Sequence, residues 1–108
     1  MTNTVIEMVT YKLKEGVTKD QLAATYDSVN AFLQAQAGFM YRSLSENDKG
    51  TMVDICYWQD MATAKAASEA FMNSEKCKLF IGLCDMDSVV MCHMPALTEA
   101  MSTTCEAA

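Results

Sequence analysis

The elements expected from the sequence follow the order strand, helix, strand, strand, helix, strand, which predicts an α+β domain of the ferredoxin-like type. Residues 5–13 (VIEMVTYKL) are rich in β-branched and aromatic residues, as strands are. Residues 47–50 (NDKG) have the composition of a hairpin turn between two further strands. We therefore expect a four-stranded antiparallel sheet in the order 4-1-3-2, with two main helices on one face.

The first helix has both a start signal and an apolar face. Thr18 and Gln21 have the spacing of a capping box. Four apolar residues then recur on one side of about five helical turns: Leu22, Tyr26, Val29 and Leu33. Gly38 is expected to end the helix in a left-handed conformation.

The rest of the chain completes the pattern. Strands are predicted over residues 39–46, 51–58 and 85–94. Asp60 is expected to cap the second helix, whose alanine-rich face can pack closely against a sheet, and residues 75–83 form a further short helix. Residues 1–95 make a single domain, and residues 96–108 a tail that is either a short helix or disordered.

Composition excludes several classes of function. The net charge is −6, without a basic stripe, which argues against binding nucleic acid or an anionic membrane surface. There is no long apolar run and no secretory signal pattern, so neither a membrane span nor export is expected. The five cysteines lack regular spacing and predict free thiols in the reducing cytoplasm, without a metal site.

The hairpin turn predicts which residues share a face of the sheet. A tight turn at Asp48–Lys49 would pair Asn47 with Gly50. The face that the helices cover would then hold Met40, Arg42, Leu44, Val53, Ile55 and Tyr57. The open face would hold Phe39, Tyr41, Ser43, Asp54, Cys56 and Trp58. Because large aromatic side chains are rarely left in water, we expect a second copy to cover this face, giving a homodimer with an apolar cavity between its sheets.

Four segments resemble the dimeric α/β-barrel superfamily, and most closely its antibiotic-biosynthesis-monooxygenase-like branch: IEMVTYKLKEGVTKDQL, AGFMYRSLSE, MVDICYWQDMATAKAA and DSVVMCHM. The resemblance spans about nine-tenths of the chain. It implies a dimer, a pocket against the sheet and often no cofactor, and some members oxygenate phenols or quinols with dioxygen. Haem-degrading relatives carry a histidine on the second helix, which this chain lacks, so haem is not expected.

Two residues are candidates for acid–base chemistry. His93 is the only histidine, and a histidine can accept or donate a proton near neutral pH. Glu7 lies in an apolar strand, where a carboxylate needs either a partner or a function as a base. The structural alternatives are a hydrogen-bonded histidine at a strand end and a salt bridge from Glu7 to Arg42 or Lys12.

A second group of residues is expected to bind the substrate. Trp58, Tyr41 and Phe39 could stack on a flat ring, although packing in the core or at a dimer interface would also explain them. Asp54 could orient His93 or bind a substrate hydroxyl. Cys56 is a substrate contact that could act as a nucleophile if its pKa were lowered, but without a basic neighbour it is more typical of a small buried side chain. Together these residues predict a small monooxygenase-like oxidoreductase that needs no cofactor and acts on a flat aromatic or quinol substrate. The alternatives are a non-catalytic ligand-binding or stress-responsive dimer and an isomerase or lactone-type enzyme on the same fold.

Overall fold

The computed structural model describes residues 3–103 and contains a four-stranded antiparallel sheet with four helices. The strands are β1 (Val5–Leu13), β2 (Phe39–Glu46), β3 (Met52–Trp58) and β4 (Cys84–Pro95). The helices are α1 (Lys19–Ala23), α2 (Tyr26–Gln34), α3 (Met61–Met72) and α4 (Lys78–Leu83), with a 3₁₀ turn at Glu75–Cys77. The sheet order β2-β3-β1-β4 confirms the predicted 4-1-3-2 arrangement.

The first predicted helix is interrupted. Thr18 and Gln21 form the expected capping box, but α1 ends at Ala23 and α2 begins at Tyr26. Thr25 lies at the break, where its buried hydroxyl donates to the Leu22 carbonyl oxygen at 2.6 Å. Tyr26, the first residue of α2, is 41% exposed and does not belong to the buried stripe, whereas Leu22, Val29 and Leu33 are buried as predicted.

Gly38 has the expected positive φ of 80°, although α2 already ends at Gln34. A Cβ atom at this position would lie 2.6 Å from Cβ of Thr63 on α3. Glycine therefore lets the chain pass close to α3 before it enters β2. Asp60 accepts a hydrogen bond from the Thr63 amide, which confirms the predicted cap of α3.

The hairpin between β2 and β3 has a different register from the predicted one. The Asn47 amide donates to the Thr51 carbonyl oxygen at 2.9 Å, so Asn47 faces Thr51 rather than Gly50. As a result Arg42 pairs with Cys56 instead of Ile55. Because side chains alternate along a strand, this one-residue difference places the β3 side chains on the face opposite to the predicted one. The predicted faces are therefore wrong for β3, and for Phe39 beyond the irregularity in β2, whereas Arg42, Leu44, Tyr41 and Ser43 lie on the predicted faces.

The corrected faces separate the aromatic residues. Trp58 points towards the helices, and Phe39 packs against it edge to face at 5.5 Å between ring centroids. Tyr41 lies on the open face, 6.1 Å from Tyr57. The open face is nevertheless largely apolar, as expected of a surface that a second copy would cover. Its apolar members are Ile6, Met8, Tyr41, Val53, Ile55, Tyr57, Val90, Cys92 and Met94.

Helices α2, α3 and α4 cover the other face of the sheet. Ala64 and Ala67 are buried, as the alanine-rich face of α3 predicts. In the tail, residues 96–103 form no helix, and residues 104–108 lie outside the described part. Within residues 3–103, none of the helices is long and apolar enough to cross a membrane.

Candidate functional site

A row of four side chains runs across the helix-covered face of the sheet. Arg42 on β2 pairs with Cys56 on β3, Cys56 pairs with Glu7 on β1, and Glu7 pairs with His93 on β4. Directly paired residues point to the same face of a sheet. The backbone register therefore brings two basic groups, a carboxylate and a thiol into one row on a surface that is largely apolar.

Glu7 is the centre of a buried hydrogen-bond network. Its Oε2 atom accepts from the Ser68 hydroxyl at 2.6 Å and lies 2.8 Å from Nε2 of His93. Its Oε1 atom accepts from the indole Nε1 of Trp58 at 3.3 Å. A buried carboxylate is costly unless hydrogen bonds compensate it, and three partners do so here. The network joins three strands and helix α3 at a single carboxyl group.

A cavity of about 130 Å³ lies between the sheet and helices α2, α3 and α4. Its polar wall residues include Glu7, Ser68, Arg42, Asp54 and Tyr11, and its aromatic ones include Trp58, Phe71 and Phe80. Met72, Met86 and Met91 also line it, and each is about half exposed, which places the mouth of the cavity between α3 and β4. An engineered protein cavity of about 150 Å³ holds one benzene ring. The cavity can therefore enclose about one aromatic ring.

His93 lies behind Glu7 rather than in the cavity wall. Its side chain is 17% exposed and reaches the carboxyl group from the edge strand β4. Glu7 both lines the cavity and contacts His93, so it stands between the enclosed space and a partly solvated histidine. This order of groups suits the transfer of a proton from the cavity through Glu7 to solvent.

A buried ion pair forms another part of the cavity wall. Arg42 donates from Nε to Oδ1 of Asp54 at 2.9 Å and from Nη2 to Oδ2 at 2.7 Å, while Nη1 donates to Asn30 at 2.9 Å. The two charged side chains are only 7% and 13% exposed. Burial alone would lower the Arg42 pKa. The hydrogen bonds to Asp54 and the negative charge of Asp54 have the larger effect and raise the Arg42 pKa above its usual value. Arg42 therefore keeps its positive charge in this buried position.

Cys56 is held as a neutral thiol. Burial, together with the charges of Asp54 and Glu7, raises its pKa to about 12. A thiol nucleophile reacts as its thiolate, so this environment works against nucleophilic catalysis at neutral pH. Cys56 therefore contributes to the site as a contact residue in the wall of the cavity.

The neutral thiol predicts how stability depends on alkaline pH. Between about pH 9 and about pH 12 the unfolded chain releases the Cys56 proton while the folded chain retains it, so the free energy of unfolding should fall as pH rises. One such group contributes at most about 1.4 kcal/mol per pH unit. In urea unfolding from about pH 8 to about pH 10.5, Cys56→Ala should show a shallower fall than wild type. Cys92→Ala removes an exposed thiol and should keep the wild-type slope. Equal slopes in all three proteins would contradict this account of Cys56.

The structure brings together most of the residues that the sequence singled out. Glu7, Trp58, Asp54 and Cys56 line one cavity, with His93 bonded to Glu7 from behind. Tyr41 lies on the opposite face, and Phe39 reaches the site only through its contact with Trp58, so neither has the predicted position beside a ring in this cavity.

Three further residues of the site were missed by the sequence interpretation. Ser68 could have been recognised from the sequence, because it is a polar residue on the same face of the predicted helix as the apolar Ala64, which is buried. Arg42 was assigned only to the helix-covered face and as a possible salt-bridge partner of Glu7, and Tyr11 was not singled out. Within residues 3–103, no cluster of three His, Cys, Asp or Glu side chains could hold a metal ion.

Comparisons with known proteins concern the fold. No protein-family model matches the sequence, and no curated protein sequence matches it either. Among solved structures, SnoaB, a cofactor-independent oxygenase from Streptomyces nogalater, is 14% identical. The match covers 94% of this chain and 100% of SnoaB, with a TM-score of 0.72.

Two other solved structures are similar over most of their length. A protein from Bordetella bronchiseptica, provisionally named an antibiotic biosynthesis monooxygenase, is 10% identical over 90% of this chain and 100% of its own, with a TM-score of 0.75. A dimeric ferredoxin-like protein of unknown function from Jannaschia sp. CCS1 is 11% identical over 86% of this chain and 99% of its own, with a TM-score of 0.64. The chain therefore has the ferredoxin-like fold found in antibiotic-biosynthesis-monooxygenase-like proteins, as its sequence predicts.

Proposed function

We propose that the protein is a cofactor-independent monooxygenase that oxidises a small, flat phenol or quinol with dioxygen. The observation that carries this proposal is the position of Glu7, a carboxyl group in the wall of an aromatic-lined cavity with His93 bonded behind it. The fold is shared with SnoaB, which is described as a cofactor-independent oxygenase. Shared fold alone does not establish activity, so the acid–base geometry is the main support.

The first step of the proposed reaction is loss of the phenolic proton. The substrate hydroxyl lies against Glu7, which accepts the proton as a general base. His93 then takes the proton from Glu7. In the tautomer with its hydrogen on Nδ1, the Nε2 atom of His93 accepts this proton across the 2.8 Å contact, and His93 releases a proton to solvent. Ser68 and the Trp58 indole hold the carboxyl group in place during the transfer.

The phenolate then reacts with dioxygen. Its electron-rich ring transfers electrons to dioxygen, and a carbon–oxygen bond forms at the ring carbon opposite the hydroxyl. The oxygen–oxygen bond breaks as that carbon loses its hydrogen, giving a quinone and hydroxide, and the hydroxide takes up one proton, equivalent to the one that Glu7 removed, to become water. One oxygen atom enters the ring and the other leaves in water, so the substrate supplies all four electrons. Trp58 and Phe71 provide the flat apolar walls that position the ring.

We further propose that the functional unit is a homodimer in the cytoplasm, formed through the open face of the sheet. That face carries Ile6, Ile55 and Tyr57, while Tyr41 and Val90 are more than half exposed in the single chain. Such a surface would be covered by a second copy packing sheet against sheet. The four cysteines of residues 3–103 are free thiols, which suits a reducing compartment.

Oxygen uptake and ligand binding should be measured in parallel. Wild-type protein is incubated with a panel of one-ring phenols and quinols in chelator-treated buffer, with oxygen consumption, quinone absorbance and melting temperature as readouts. We expect at least one phenol to raise the melting temperature and to be converted to a quinone with one dioxygen consumed per molecule. Stabilisation without oxygen uptake would instead support the ligand-binding alternative, for which the largely apolar cavity is sufficient. The absence of both effects would contradict the proposal.

A further inference from the structure

The far end of the cavity, away from Glu7, contains a buried hydroxyl group without a partner. Tyr11 lines the cavity and is only 2% exposed. Its Oη atom makes no hydrogen bond to any of residues 3–103. Buried polar groups in proteins nearly always have a partner, so a buried group without one calls for an explanation, such as a role in binding. A ligand oxygen in the cavity would supply the missing partner.

The environment of Tyr11 determines which kind of partner it needs. Burial and the nearby charge of Asp54 raise the Tyr11 pKa far above its usual value, so the phenol keeps its proton. A protonated hydroxyl that lacks a partner is available to donate a hydrogen bond. The complementary ligand atom is therefore an acceptor oxygen.

The charges in the cavity wall favour a neutral acceptor. Arg42 lies near Tyr11, but its charge is already balanced by the two hydrogen bonds to Asp54. Glu7 adds a further carboxyl group to the same wall. A carboxylate on the ligand would enter an enclosed space without an unpaired positive charge to compensate it. A carbonyl oxygen meets no such penalty.

The size of the cavity limits the ligand to one ring with a short substituent. Glu7 and Tyr11 point to the same face of β1 four residues apart, which separates their Cα atoms by about 13 Å. Both side chains line the same cavity of about 130 Å³, which encloses about one ring. A ring with a hydroxyl on one side and a carbonyl on the other would reach both groups.

We propose that Tyr11, supported by the Arg42–Asp54 pair, forms a subsite for a neutral carbonyl oxygen on the ligand. The ligand is then a one-ring phenol that carries its carbonyl group away from the hydroxyl, in a position that leaves the ring carbon opposite the hydroxyl free. The orientation of the hydroxyl towards Glu7 rests on the function proposed above, whereas the carbonyl subsite rests on the unpaired Tyr11 hydroxyl and does not require that function. Tyr11 is a specificity-determining residue in this proposal.

The test compares two phenols that differ in the carbonyl group. 3-Hydroxyacetophenone and 3-ethylphenol are titrated without oxygen, with the fluorescence of Trp58, the single tryptophan, as the readout. Tyr11→Phe should weaken binding of 3-hydroxyacetophenone by about threefold to tenfold, the value of one neutral hydrogen bond. Binding of 3-ethylphenol should change less than about twofold, since it makes no such bond. 3-Hydroxybenzoate should bind the wild type more weakly than the ketone does.

The controls separate this subsite from folding and from catalysis. Tyr57→Phe removes a tyrosine hydroxyl from the open face and should leave both affinities unchanged. Tyr11→Phe removes an unpaired group, so its melting temperature should equal or exceed that of the wild type. The subsite would be overturned if Tyr11→Phe weakened binding of both phenols equally or of neither. It would also be overturned if the wild-type protein bound neither phenol. The expected binding pattern without any oxygen uptake would reject the monooxygenase function and leave the subsite in place.

Discussion

Replacing Glu7 with glutamine should lower the rate of oxygen uptake with a phenolic substrate by about 10²- to 10⁴-fold. Glutamine has nearly the same shape and can still accept the hydrogen bond that the Trp58 indole donates to Glu7. It cannot accept the phenolic proton, so the ring stays in its neutral form, which reacts poorly with dioxygen. Ligand affinity should change much less than the rate, because the cavity and its aromatic walls remain. Rates from an oxygen electrode and affinities from anaerobic titration would separate these two effects.

Two further variants serve as controls for Glu7→Gln. Glu46→Gln neutralises a carboxylate on β2 that pairs with Lys19 outside the cavity, and it should retain the wild-type rate. His93→Gln leaves Glu7 in place but interrupts proton exchange, so its rate should lie between those of wild type and Glu7→Gln. A Glu7→Gln enzyme that turns over as fast as Glu46→Gln would show that Glu7 is not the base.

Replacing Arg42 with alanine should lower the free energy of unfolding by about 3–5 kcal/mol. The substitution removes three hydrogen bonds and leaves the Asp54 carboxylate buried without its counter-charge. An unpaired charge of this kind is far more costly than the loss of the attraction itself. Chemical unfolding monitored by circular dichroism would measure the loss, since β2 and β3 both depend on this contact.

Two comparisons test whether burial is the cause of this large effect. Lys19→Ala breaks the exposed pair with Glu46 and should cost no more than about 1 kcal/mol. The double variant Arg42→Met, Asp54→Leu removes both charges and should recover most of the stability lost in Arg42→Ala. A double variant as unstable as Arg42→Ala would contradict the explanation, because no unpaired charge remains in it.

The order of elements was predictable because each has a local signal. The capping box at Thr18, the cap at Asp60 and the composition of β1 depend on neighbours within a few residues, and all three are present as predicted. The break at Thr25 was not predictable from apolar spacing, because that spacing carries no information on the side-chain hydrogen bond from Thr25 to the Leu22 carbonyl oxygen that is found there.

The distribution of residues between the faces was harder to predict than the elements themselves. It depends on the length of the turn after Asn47, and an error of one residue moved Trp58, Cys56 and Asp54 to the wrong side of the sheet. Glu7 was identified because a carboxylate in an apolar strand is unusual at the level of sequence. Its contacts with Ser68 and His93 join residues 61 and 86 positions away, and only the assembled fold reveals them.

The location of the cavity mouth has a consequence for how this fold can change over evolutionary time. Glu7 and Trp58 lie on the two inner strands, each held between neighbouring strands, whereas the half-exposed Met72, Met86 and Met91 belong to α3 and the edge strand β4. Mutations at the mouth can therefore accumulate while Glu7 and Trp58 stay in place, although Ser68 and His93, the other partners of Glu7, share α3 and β4 with the mouth. A lineage with this architecture could alter which molecules enter while inheriting the same carboxyl group and indole on its inner strands, provided that Ser68 and His93 are kept.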